Sequence, residues 1–208
     1  IYGFNFDDGK GVHVDNFSNR GNSGLPISTF NTNLMKQFKE RLDYDLIILQ
    51  YGANILNYGS LDYSWYERRM TKIVAHLKAC FPGVSILIIS TADKSSKYDL
   101  EMKTDAAVIP LNTAQKRYAI KSESSFVNLY MLMGGDGSMV KWVEAVPSKA
   151  NKDYTHFNHR GAKEVGNIIF TQVNQGYEMY KKLRKKRKTT LSDHKDPTDL
   201  LKDSIHEE

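Results

Sequence analysis

Apolar and polar positions follow two rhythms along this chain. Leu46-Ile47-Ile48-Leu49 and Ile86-Leu87-Ile88-Ile89 are unbroken apolar runs, the pattern of strands covered on both faces. Val12 to Phe17 alternates apolar with polar residues before the turn-rich Asn19-Arg20-Gly21-Asn22-Ser23-Gly24, and Phe126 to Tyr130 predicts a shorter fourth strand. Between them the apolar period lengthens. Phe30, Leu34, Phe38 and Leu42 recur every four residues, and Tyr66, Met70, Val74 and Leu77 do so at nearly that spacing, which predicts two amphipathic helices. Pro110 opens a third helix carrying Leu111, Ala114 and Tyr118, because proline suits a first helical turn. The last helix, from about Arg160, sets Ala162, Val165, Ile169, Val173, Tyr177 and Tyr180 along one side. Strands alternating with helices, and no internal repeat, predict an α/β domain on a largely parallel sheet.

Length agrees with one domain: 208 residues bury a full core without staples or metals. A 40% hydrophobic and 25% charged composition belongs to globular rather than disordered chains. No stretch approaches the run of about 18 apolar residues that a membrane helix needs. The single cysteine, Cys80, excludes an intramolecular disulfide and a cysteine-rich metal site. The chain opens on Ile1 with no charged-then-apolar leader, so the natural start is expected to lie outside these residues.

The net charge of +5 hints at nucleic acid until the charges are located. Residues 181–208 hold 9 of the 29 basic and 6 of the 24 acidic side chains, leaving 20 against 18 in residues 1–180. The basicity is a property of the tail, where Lys181, Lys182, Arg184, Lys185, Lys186, Arg187 and Lys188 form a nearly continuous run. No aromatic interleaving or nucleic-acid motif accompanies it, so residues 181–208 read as a charged, disordered tail or solvated helix end, and nucleic acid is not an expected partner.

In open parallel sheets, function gathers in loops beyond the carboxyl ends of the strands. Those loops are Arg20 to Pro26, Gln50-Tyr51-Gly52-Ala53-Asn54, Ser90-Thr91-Ala92-Asp93, and, before the last helix, Asp153-Tyr154-Thr155-His156. Asp153 and His156, three apart in a turn, can face each other, the carboxylate holding one ring nitrogen and leaving the other free. That is the orienting and basic half of a hydrolytic triad. Gly52 and Asn54 offer a backbone and a side-chain amide, and Gly24 another backbone N–H, which are the donors an oxyanion hole requires. Each feature by itself is ordinary cap or turn chemistry. His156 and His159 have the wrong flanks for a zinc helix, and His13 and His76 have only structural readings. Trp65 and Trp142 are read as groove or core aromatics.

Taken in order, these blocks resemble the SGNH (GDSL-type) hydrolases. Asn19 to Gly24 is similar to the second signature block with Gly24 as oxyanion donor, Gly52-Ala53-Asn54 to the third with Asn54 as donor and Gly52 as its supporting turn, and Asp153-Tyr154-Thr155-His156 with Phe157, Asn158 and Gly161 to the fifth. The resemblance spans residues 10–180 and implies a three-layer α/β/α, flavodoxin-like fold. The stretch from Phe126 to Met139 resembles a bacterial subgroup in which a β domain is inserted between the first and second blocks.

Two departures stand beside the matches. The Gly-Asp-Ser block that carries the nucleophile is absent, and Ile55 replaces the acidic residue that usually follows the Gly-x-Asn turn. The subgroup implies that residues 1–9 are the remnant of the inserted β domain and that the first, nucleophile strand lies upstream. The competing account is a complete chain without a nucleophile. Ser23 and Ser90 are near the expected edge, but neither lies on the sharp strand-to-helix turn that exposes a nucleophile.

The resemblance implies an acyl-ester hydrolase in which His156 is the base, Asp153 its orienting carboxylate, and Gly24 and Asn54 the oxyanion donors. It calls for no metal or organic cofactor. It further implies O-acyl, especially acetyl, esters of carbohydrate as substrate, and an extracytoplasmic location. An O-acyltransferase with the same triad, and a non-catalytic glycan- or partner-binding module on a hydrolase frame, are the alternatives. Oligomeric state is not legible.

Overall fold

The computed structural model of the chain describes residues 8–19, 21–56 and 59–193. The expected β-domain remnant therefore lies almost wholly outside the described residues, as does Arg20. Leu46–Gln50 forms β1, Ser85–Ile89 forms β2 and Ser125–Val127, reached after a separate hairpin, forms the third strand of one parallel sheet. The hairpin strands, Ser95–Tyr98 and Glu101–Thr104, are β3 and β4, so the third sheet strand is β5. Sheet order is β1-β2-β5, with Leu46 opposite Ser85 and Gln50 opposite Ile89. The two continuous apolar runs are adjacent parallel strands as expected, but only β2 is covered on both faces, since Leu46 and Ile48 leave one face of β1 open. One helix, α2 (Ser64–Cys80), makes the crossover between them.

Strand alternation sorts the core into two clusters. Ile47, Leu49, Ile86 and Ile88 face α2 and α3 (Val108–Lys121), whereas Leu87 and Ile89 face Leu129, Met139, Trp142 and Val165 on α4 (Leu129–Leu132), α5 (Ser138–Glu144) and α6 (His159–Asp193). This is the three-layer α/β/α arrangement. The expected stripe of α2 is the best-buried in the fold, with Tyr66, Met70, Val74 and Leu77 at 0–3% exposure. Burying a large apolar side chain contributes about 1.5–3 kcal/mol. Between β1 and the turn before it, α1 (Thr32–Leu42) is capped by Asn31, whose side chain accepts from the Leu34 N–H at 3.0 Å.

Several expectations require correction. Val12–Phe17 is not a strand: it is irregular, and Val12, Val14 and Phe17 are exposed. It meets α1's end where the Tyr44 hydroxyl donates to Asp15 and the Phe17 ring meets Tyr44 edge-on. Alternation makes a strand only when a neighbour supplies ladder partners. The fourth strand ends at Val127, because the Asn128 side chain accepts the Met131 N–H at 3.1 Å and starts α4 instead. The helix α1 forms as expected but has no fully buried residue; Phe30, Leu34 and Phe38 remain exposed.

The tail boundary at residue 180 also moves. Helix α6 continues to Asp193, so residues 181–193 are helical rather than disordered, and the basic run from Lys181 to Arg187 is a solvated helix end. Lys181 pairs with Glu178 at 2.6 Å and lies over the Tyr177 ring, the local i,i+3 and i,i+4 contacts that support a protruding helix.

Among the described residues, the edge of β1 away from β2 has no strand partner. On that strand Leu46 and Ile48, which by alternation share the α6 side of the sheet, are 42% and 48% exposed. Phe170, Val173 and Tyr177 on α6 are exposed as well.

Candidate active site

The Asp153–His156 turn is built by the carboxylate it contains. One Asp153 oxygen accepts the backbone N–H groups of Thr155 and His156, both at 2.9 Å, and the other accepts the His156 Nδ1–H at 2.9 Å. Ionised Asp153 has no proton to donate, so the bond assigns the proton to Nδ1 and leaves the Nε2 lone pair outward. Partial burial opposes ionisation of Asp153, but the His156 and Thr155 backbone N–H groups and the His156 ring outweigh it and hold the carboxyl below its ordinary range. Tyr154 adopts a left-handed conformation, φ 54°, at the centre of the turn. Its N–H donates to Asn151 and its carbonyl accepts from Ser95, which hold the strained residue in place.

The turn is moored from behind. The Asn158 side chain accepts the Gly161 N–H at 3.1 Å, capping α6, while its amide donates to the Ser148 carbonyl at 2.9 Å. Phe157 packs against the Trp142 ring at 5.4 Å between centroids, which places Trp142 in the core rather than in a substrate groove. Trp65 likewise packs on the core, under Arg69.

At the end of β1, the Ile55 N–H donates to the Gly52 carbonyl at 2.8 Å and closes a turn with Asn54 at its third position. Gly52 has φ 147°, and a Cβ there would lie 2.5 Å from the Thr91 Cβ, so both conformation and space require glycine. Ile55 is wholly buried in the core, which accounts for an apolar residue where the signature carries an acid. The Asn54 side chain is exposed and donates one of its two N–H bonds to the Asn22 carbonyl at 3.1 Å, leaving the other for a ligand.

Gly24 departs from expectation. Its N–H is not unencumbered but donates to the Asn22 side-chain oxygen at 2.7 Å, an Asx turn that stabilises φ 85° before the 3-10 turn Leu25–Thr29. It becomes an oxyanion donor only if the Asn22 side chain gives way. The Tyr51 ring packs against Gly24 and allows no side chain there.

Direct contacts link the Gly24, Gly52 and Asn54 blocks to one another at the ends of β1 and β2, and the Asp153–His156 turn meets the chain beyond β2 through the Tyr154 carbonyl. Residues 22–24 touch Tyr51 and Asn54, Gly52 touches Thr91, and Ser95, just beyond β2, bonds to Tyr154. Asp153 and His156 are thus brought together, as are Gly24, Gly52 and Asn54, while no hydrogen bond joins the first pair to the second set. Ser90 is fully buried, with its hydroxyl turned to the Thr91 carbonyl, and the Ser23 hydroxyl accepts from Leu25; neither bonds His156. Among the described residues, no three His, Cys, Asp or Glu side chains group as metal ligands, and no helix is long and apolar enough to cross a membrane.

The sequence reading missed two buried polar groups beside this edge. Asp93 accepts the Met139 N–H at 2.7 Å and a bond from the Ser138 hydroxyl, fixing the start of α5; burial nevertheless raises its pKa. Gln115, from α3, bonds to both Tyr51 and Thr91. Neither has a sequence signal beyond being polar in an apolar neighbourhood.

A scan of known families matches residues 5–163 to the GDSL-like lipase/acylhydrolase family, and the chain belongs to that family. No curated protein matches it. Among solved structures, "Peptidoglycan O-acetylesterase in action, 5 min" superposes with a TM-score of 0.65 at 22% identity, covering 74% of this chain. This chain spans 44% of the length of that one. The likeness agrees with the α/β/α fold.

Proposed function

We propose that this chain carries the base, the orienting carboxylate and the oxyanion donors of a serine ester hydrolase. Its substrates would be O-acyl, foremost O-acetyl, esters of carbohydrate outside the cytoplasm. The observation that carries the reading is the Asp153–His156 bond of 2.9 Å with Nε2 left outward.

In this mechanism a serine hydroxyl gives its proton to His156 Nε2 as its oxygen attacks the acyl carbon. The charge on the acyl oxygen is met by the free Asn54 N–H and by the Gly24 N–H released from Asn22. The imidazolium, held in place by Asp153 through Nδ1–H, then protonates the departing alcohol, and water repeats the sequence to free the acid. The sugar acetate preference is supported by the name of the superposed esterase and by the resemblance of the signature blocks.

The nucleophile is proposed to arrive on a further strand along the open edge of β1. Exposed Leu46 and Ile48 and the exposed apolar side of α6 support this, because a strand and its following helix would cover them. Expressed with its natural upstream sequence, the protein should melt at least about 5 °C higher than residues 1–208 alone and lose any tendency to associate. Equal melting temperatures, with both forms monomeric by sedimentation, would refute the added strand.

Asn54→Ala should lower kcat on an aryl acetate on the order of a hundredfold, the usual cost of one oxyanion donor, with little change in KM. Release of acetate from O-acetylated glycan, absent from the same glycan bearing only N-acetyl groups, tests the substrate class. Undiminished kcat in Asn54→Ala would remove Asn54 from the site.

A further inference from the structure

Gln115 lies near the middle of α3, is 0% exposed, and takes no part in the mechanism above. Its amide nitrogen donates to the Tyr51 carbonyl at 2.6 Å and its amide oxygen accepts the Thr91 N–H at 2.7 Å. The ladder between β1 and β2 ends at the pair Gln50 and Ile89. Beyond it the two chains stay close, but the Tyr51 carbonyl and the Thr91 N–H bond to Gln115 instead of to each other's strand. A carboxamide is the neutral side chain with a donor and an acceptor on one carbon, so one residue satisfies both strand ends. Leaving either group unpaired in this buried place would be costly.

We propose that Gln115 is a positioning residue for the oxyanion turn, an inference that rests on the reading of Asn54 as an oxyanion donor. The peptide between Tyr51 and Gly52 is planar, so fixing the Tyr51 carbonyl toward α3 also fixes the direction of the Gly52 N–H on the other side. Gly52 in turn accepts from Ile55 to close the turn that carries Asn54. The same side chain holds Thr91, against which Gly52 packs without room for a Cβ. Gln115 therefore sets both the orientation of the first turn peptide and the separation of the two strand ends. Asn54 itself is exposed and cannot define its own place by packing.

The test compares Gln115→Met with Leu111→Ala, a core truncation on the same helix, in the full-length protein. Gln115→Met should lower kcat about tenfold to a hundredfold with KM within about twofold, the signature of a misplaced transition-state donor. Thr91 amide hydrogen exchange should quicken about tenfold or more. Leu111→Ala should lower Tm comparably while leaving kcat within about twofold. If Gln115→Met does not fold, Gln115→Glu, which loses the donor to Tyr51 when ionised, carries the same kcat comparison. A kcat loss no greater than that of Leu111→Ala would overturn the positioning role. Unchanged Thr91 exchange would overturn the clamp itself, whereas turnover surviving in His156→Ala would overturn the catalytic reading on which the role rests.

Discussion

His156→Ala should abolish ester turnover, lowering kcat on an aryl acetate by about 10⁴-fold or more in the full-length protein. The imidazole is 67% exposed and its ring makes one protein hydrogen bond, to Asp153, so its removal should leave the fold and Tm nearly intact. KM should change little, because the ring moves a proton and does not build a binding surface. The loss exceeds that expected for Asn54→Ala because general base and general acid both disappear, while an oxyanion hole keeps its other donors. Single-turnover kinetics would show no acyl-enzyme formation. Retained turnover would leave the fold and family in place and remove the catalytic role of His156.

The second large effect is structural. Gly161→Ala should cost about 3 kcal/mol or more and lower Tm by roughly 6–12 °C. A Cβ at Gly161 would fall within the van der Waals radius of the Lys149 carbonyl oxygen, and backbone cannot move aside as a flexible side chain can. That contact lies where α6 docks on residues 148–150: the Asn158 N–H donates to Lys149 at 3.2 Å, and Ala150 pairs with Phe157. Displacing α6 there shifts the segment that ends in His156, so activity should fall with stability. Thermal melting followed by far-UV circular dichroism measures it, and a Tm within about 2 °C of the parent would contradict the contact. Glycine is needed at this helical position for space, since its φ is not in the left-handed region.

Both effects concern residues that the chemistry of the sequence marks out. Asp153 and His156 are three apart, and a carboxylate at the head of a turn satisfies the next N–H groups whatever surrounds it, so their pairing was legible before any fold. The same holds for Gly52 and Asn54, close together past an apolar strand, and for the continuous runs that became β1 and β2. The α2 stripe was legible because burying one helical face dominates its energetics. Gly24 was legible as a turn but not as an engaged donor: the Asx bond from Asn22 is a choice among local partners that spacing does not make.

Other features depend on residues far apart in sequence. Val12–Phe17 alternates like a strand, yet pairing needs a neighbour, and among the described residues it has none. The β3–β4 hairpin, Ser95–Tyr98 with Glu101–Thr104, carries no continuous apolar run to mark it, because its stability comes from cross-strand bonds and from Ser95 meeting Tyr154. Gln115 reads as one polar residue in a helix; its meaning appears only when two strand ends meet it. The basic run reads as tail or helix end, and only the extension of α6 to Asp193 decides between them. Periodicity, capping and short-range side-chain bonds are properties of a segment and can be read from it. Edges, buried amide partners and the free volume beside a glycine arise only where segments meet, so the tertiary structure decides them.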